Sequence, residues 1–149
     1  MENSKQKILI TGASSGLGRE LAHQYAQKGN VELILVARRK EALEKVAKKC
    51  EAFENVKTRV YSVDIGSQEQ VEHLLSSVKD IDILINGAGY GIMKDFSEFS
   101  DHDVVNMFDT NVIGTIQLTT EIAKRMREKK SGTIVTIASL AGKIATPKS

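Results

Sequence analysis

The sequence is short of several things at once. It holds one cysteine, Cys50, in 149 residues, so no internal disulfide can form. Cys50 falls on the apolar face of an expected helix, where a small buried hydrophobe is a better reading than a reactive thiol. Charge of one sign is also scarce: 21 Lys and Arg against 19 Asp and Glu leave a net +2, which gives no reason to invoke nucleic acid. The densest basic stretch, 124–130, is interrupted by Glu128 and reads as the solvated end of a helix, where cations suit the dipole. No apolar run approaches the ~18–20 residues that span a bilayer, and the polar start has no signal-peptide core. His23, His73 and His102 lack metal-ligand spacing and read as surface residues, so no metal is expected. There are no internal repeats, low-complexity tracts or linkers. The expectation is a single cytoplasmic domain over 1–149, with no membrane or nucleic-acid partner and enough chain to bury a core.

What is present is alternation. Short apolar runs at 7–11, 32–37, 57–63, 81–85 and 133–137 read as strands, and the run at 32–37 is nearly continuous, as in a strand buried on both faces. Helical patterns fall between them at 17–28 and 40–52, the second with Leu43, Val46, Ala47 and Cys50 as its inner stripe. Ser67 and Gln70 have the spacing of a capping box, and so do Ser100 and Asp103, which open a long helix running to about residue 129. Its inner stripe is expected to be Val104, Phe108, Val112, Ile116 and Ile122. Gly114 within it costs helix stability and suggests a close approach at that point. The β-α-β-α repetition calls for a parallel sheet with helices on both faces, an α/β fold in three layers. The doubly wound order 3-2-1-4-5 puts a ligand crevice at the switch point between strands one and four.

Two glycine-rich turns should meet at that crevice. The first strand runs into Thr11-Gly12-Ala13-Ser14-Ser15-Gly16-Leu17-Gly18, and the fourth into Asn86-Gly87-Ala88-Gly89. Glycines let a backbone turn tightly and approach a pyrophosphate, and the next helix aims free N–H groups at it. The spacing G-x-x-x-G-x-G departs from the usual dinucleotide fingerprint G-x-G-x-x-G. At the end of strand two, Arg38-Arg39-Lys40 precedes the first carboxylate, Glu41. A basic residue at that place accommodates a 2′-phosphate, and an arginine fork matches its oxygens. The reading is therefore NADP(H) rather than NAD, with Arg38 as the main contact; the other reading of these arginines is a solvated helix start.

These residues together resemble the short-chain dehydrogenases/reductases. Gly12, Gly16 and Gly18, with Ser14, Ser15 and Leu17 between them, are similar to that family's cofactor turn. Asn86, Gly87, Ala88 and Gly89 resemble its Asn-Asn-Ala-Gly motif, with Gly87 in place of the second asparagine. The resemblance implies a Rossmann-type fold and a set of roles. Asp64, followed by Ile65, would contact the adenine. Asn111 would belong to the catalytic group, either holding a structural water or serving a proton relay. Ser139 would be the catalytic serine, polarising a substrate carbonyl for hydride attack.

The resemblance also implies an acid, a tyrosine with a lysine four residues on, about a dozen residues after the serine. The sequence stops ten residues past Ser139. Its one Tyr-x-x-x-Lys, from Tyr90 to Lys94, lies upstream with Gly91 inside it and reads as a decoy; Tyr90 is expected to line the pocket. Together with the aperiodic tail 138–149, this makes the chain look like the cofactor-binding half of a longer NADP-dependent carbonyl reductase or alcohol dehydrogenase. Its substrate would be a small, apolar carbonyl or alcohol. The isolated chain is expected to bind cofactor without turnover, and to be a homo-oligomer or else to expose an apolar patch. The alternative is a non-catalytic dinucleotide-binding or redox-sensing module.

Overall fold

Alternation of side chains along the inner strands fixes the layers. The computed structural model describes residues 4–144. β1 (Gln6–Thr11) and β2 (Val31–Ala37) are flanked by β3 (Val56–Ser62) on one side and by β4 (Ile83–Asn86) and β5 (Thr133–Thr136) on the other. All pairings are parallel, and the order is β3-β2-β1-β4-β5, as the sequence pattern implies. Ile8, Ile10, Leu33, Leu35 and Ile85 point to one face. There they pack with Ala22 and Ala26 of α1 (Gly16–Lys28) and Leu43, Val46, Ala47 and Cys50 of α2 (Lys40–Cys50). Leu9, Ile34, Val36 and Leu84 point to the other, against Val71 and Leu74 of α3 (Gln68–Ser77) and Leu118, Ile122 and Met126 of α5 (Thr115–Glu128). A strand with helices on both faces has no polar side to spare, which is why β1 and β2 are nearly continuous apolar runs.

The long helix departs from expectation. α4 (Asp101–Phe108) opens with a full capping box between Ser100 and Asp103, but Asp109–Gly114 is π-helical before α5 begins. Thr115 Oγ1 donates back five residues to the Thr110 carbonyl at 3.3 Å, in keeping with the wider turn. The close approach at Gly114 is made by the Ile65 backbone: a Cβ on Gly114 would lie 1.8 Å from the Ile65 carbonyl oxygen. The buried face is therefore Gly114, Leu118, Ile122 and Met126. Of the expected stripe only Ile122 is buried; Val104, Phe108, Val112 and Ile116 are exposed. Ile116 and Ile122, six residues apart in α5, fall on different sides of that helix, and α4 buries none of its own residues. With Val105 and Ile113, these side chains make an exposed apolar face.

Two smaller expectations also change. Ser67 accepts from the Gln70 amide, but the Gln70 side chain does not return the bond and takes the Asp64 amide at 2.9 Å instead. His23 is half-buried, with Nδ1 3.7 Å from Cys50 Sγ. Burial pushes the Cys50 thiol up to about 11, helped by the Glu51 charge, so it is an inert core group. No helix among the described residues is long and apolar enough to cross a membrane. Of the tail 138–149, residues 145–149 lie outside the described residues. At its start Leu140–Gly142 forms a single 3-10 turn.

Candidate functional site

The crevice forms where the ends of β1 and β4 meet. Gly12 sits at φ +70°, and a Cβ there would lie 2.4 Å from the Gly87 carbonyl oxygen. Gly18 is as tight against Gly12, with 2.5 Å to its carbonyl oxygen. Only glycine permits this conformation and this approach together. Thr11 completes the junction: its hydroxyl accepts from the amides of Gly87 and Ala88, both at 3.1 Å. From the sequence Thr11 reads only as the first residue of the glycine turn, without a role of its own. The signal that could have found it is the in-register pairing of Thr11 with Asn86, which sets a buried hydroxyl beside the start of the second glycine turn.

A cleft of about 550 Å³ opens over this junction. It is lined by Gly12, Ser14, Ser15, Gly16, Leu17 and Gly18 of the first turn, by Gly87, Ala88 and Gly89 of the second, and by Arg38, Asp64 and Ile65. Arg39, Tyr90, Thr110 and Ile137 also reach it. Ser15 is the N-cap of α1 yet makes no side-chain capping bond, and the first turn of α1 carries no acid. The leading amides of this 13-residue helix thus face the cleft with positive partial charge uncompensated by side chains. Arg39 Nη2 donates to Ser14 Oγ at 3.3 Å, bringing a second cation to the turn. Asp64 Oδ1 accepts from the Gly66 amide at 2.9 Å, as in an ordinary turn, while the residue also lines the cleft.

Three residues expected at the site are placed differently. Asn86 does not line the cleft. It is buried on the α5 side, donating through Nδ2 to Thr119 Oγ1 at 2.8 Å and Thr136 Oγ1 at 3.2 Å, and so ties β4 to α5 and β5. Asn111 is exposed, within the π turn. Its amide clamps the Tyr90 backbone, accepting from the amide at 3.0 Å and donating to the carbonyl at 2.7 Å. Ser139 is exposed and outside the cleft lining; its hydroxyl caps the 3-10 turn by accepting from the Ala141 amide at 3.1 Å. Lys94 is paired with Asp103, and this hydrogen bond, with those from Ser100, holds the Asp103 carboxyl well below the usual range. Among the described residues no three His, Cys, Asp or Glu side chains are gathered to hold a metal ion.

A family model described as short chain dehydrogenase matches residues 6–149. The chain belongs to that family. An NADP-dependent 3-hydroxy acid dehydrogenase of Schizosaccharomyces pombe is 35% identical over 141 residues, covering 91% of this chain and 54% of that protein. Among solved structures, the bulky-bulky ketone specific alcohol dehydrogenase from Comamonas testosteroni superposes with a TM-score of 0.89 at 28% identity, covering 96% of this chain and 58% of that one. A short-chain dehydrogenase from Sphingobium yanoikuyae in complex with NADPH gives a TM-score of 0.86 at 30% identity, with 93% and 55% covered. The chain spans about half the length of the curated relatives it matches.

Proposed function

We propose that the chain is the cofactor-binding part of an NADP(H)-dependent oxidoreductase of the carbonyl reductase or alcohol dehydrogenase type. One observation carries this reading: a single cleft gathers two glycine turns, an uncapped helix N-terminus and two arginines at the end of β2. The residues suit the group. The amides of Gly16, Leu17 and Gly18 would take the pyrophosphate, with Ser14 and Ser15 beside them. Arg38, seconded by Arg39, would grip the 2′-phosphate, and Asp64 with Ile65 would meet the adenine. Gly12, Gly87, Ala88 and Gly89 leave the floor low enough for a flat ligand. Asn86 supports this floor from beneath, through its bonds to Thr119 and Thr136.

When bound, the nicotinamide supplies or accepts a hydride. Ser139 would hold the substrate oxygen by its hydroxyl, and Asn111 would support proton movement; their present bonds to Ala141 and Tyr90 are the ones each would share or exchange. Ile92 and Met93, in the loop after β4, favour an apolar carbonyl or alcohol. With no Tyr-x-x-x-Lys after Ser139 in these 149 residues, the isolated chain should bind without turnover. Self-association through the exposed face of α4 and the π turn, and a place in the cytoplasm, complete the proposal.

The test is a titration of the chain with NADPH and NADH. NADPH should bind more tightly, and Arg38→Ala should bring the two together. Equal affinities in the unaltered chain would refute the cofactor assignment. A second reading, a binding module without chemistry, is favoured by the engagement of Ser139 and Lys94 in local contacts. It predicts binding with no hydride transfer in any longer form of the protein.

A further inference from the structure

Selection for a 2′-phosphate depends on where an arginine is held, and Arg38 is held by an aromatic ring. It stands at the end of β2, exposed to solvent, and among the described residues it forms no ion pair with a carboxylate. Its guanidinium carbon lies 5.7 Å from the ring centroid of Tyr90, across the cleft that both residues line. Because β1 lies between β2 and β4, this contact spans the end of the strand that carries the glycine turn. The backbone that carries the ring is itself anchored, since both amide atoms of Asn111 hold it, at 2.7 and 3.0 Å.

We propose that Tyr90 is a positioning residue for cofactor selection, keeping the Arg38 guanidinium over the cleft where a 2′-phosphate would be gripped. An aromatic face suits this task better than a carboxylate. Attraction to the ring restricts the cation without occupying its N–H donors, whereas a carboxylate would consume the fork that must bind the phosphate. Arg39 is restrained by a different route, through Ser14. The two arginines are thus fixed from opposite sides of the turn. Arg38 is the one whose restraint passes through Tyr90 to Asn111, linking the adenosine end of the cleft to the π turn of the long helix.

The inference rests on the NADP(H) reading, and one set of titrations separates the two. NADPH and NADH affinities are measured for the full chain and for the Tyr90→Leu, Tyr90→Phe and Arg38→Ala variants. Tyr90→Leu should weaken NADPH about two- to fivefold, the effect of an exposed cation–π contact, and leave NADH unchanged. Tyr90→Phe should retain the parent preference, because the ring remains. Equal weakening of both nucleotides by Tyr90→Leu would assign Tyr90 a structural role and overturn the inference. So would a preference that stays the same or rises while Arg38→Ala abolishes it. A parent chain with no preference would defeat the NADP(H) reading itself.

Discussion

Gly114→Ala sets two effects of opposite sign against each other. In a helix interior alanine is favoured over glycine by about 1 kcal/mol, so propensity alone predicts a gain in stability. The packing predicts a loss. The new Cβ would lie 1.8 Å from the Ile65 carbonyl oxygen, 2.6 Å from its carbonyl carbon and 2.8 Å from Cγ2. The first two are backbone atoms and cannot rotate away, so the π turn and the β3–α3 loop must separate. Overpacking of this kind costs roughly 1–3 kcal/mol, and a main-chain overlap belongs at the upper end. Packing wins by about 2 kcal/mol. For a chain of this size that is a fall of roughly 4–8 °C in Tm, at about 2–4 °C per kcal/mol. Thermal unfolding followed by far-ultraviolet circular dichroism measures it. An unchanged or raised Tm would mean that the helix does not rest on Ile65. Since Ile65 lines the cleft, the same substitution should weaken nucleotide binding, and a destabilised variant with unaltered affinity would uncouple the π turn from the site.

Two further outcomes follow from the charges and the surface. Burial opposes ionisation of Asp82, but hydrogen bonds from Lys129 and from the Lys7 amide, with those two positive charges, outweigh it and hold the carboxyl below its ordinary value. A depressed folded-state pKa gives stability that is present above the unfolded value of about 3.9 and is lost as pH falls through the folded one, so Asp82→Asn should flatten the acid limb of a stability–pH curve; an unaltered limb would remove Asp82 as its source. The exposed face of Val104, Val105, Phe108, Val112, Ile113 and Ile116 should make gel-filtration elution depend on concentration, and a monomer at every concentration would count against self-association.

The sheet was legible because its signal is local and redundant. β1 and β2 are apolar on both faces, their helices carry period-3.6 stripes, and Gly12 stands where a positive φ and a close approach coincide. The π turn was not legible, since its extra residue is settled by the meeting of Gly114 with Ile65, 49 positions away in a different loop. The buried face instead runs through Gly114, Leu118, Ile122 and Met126, α4 buries none of its residues, and Asn111 is exposed within the π turn. The side on which Asn86 lies was hidden for another reason. A motif gives the order of residues, whereas the face a strand-end side chain takes is set by register, which sends Asn86 towards Thr119 and Thr136. Arg39 was read beside Arg38 in the same basic run, but its tie to Ser14 belongs to tertiary structure.

The site also divides by what supports it. Every turn lining the cleft is carried by an element with a buried face: β1 is buried from Ile8 to Thr11 and β2 almost throughout, Val63 and Ile65 are in the core beside Asp64, and Leu84 and Ile85 anchor β4. The residues assigned to chemistry stand elsewhere. Ser139 follows β5, all four of whose residues are exposed and which pairs with β4 alone, and Asn111 lies on the helix segment with the open apolar face. Preorganised binding needs rigid support, and here the support lies under the nucleotide half. Nucleotide binding should therefore persist in these 149 residues, whereas holding Ser139 and Asn111 in a fixed relation to a substrate requires something to cover β5 and the helix face. In that arrangement affinity and turnover are separable, and a partner that covered the exposed face would be expected to change the second more than the first.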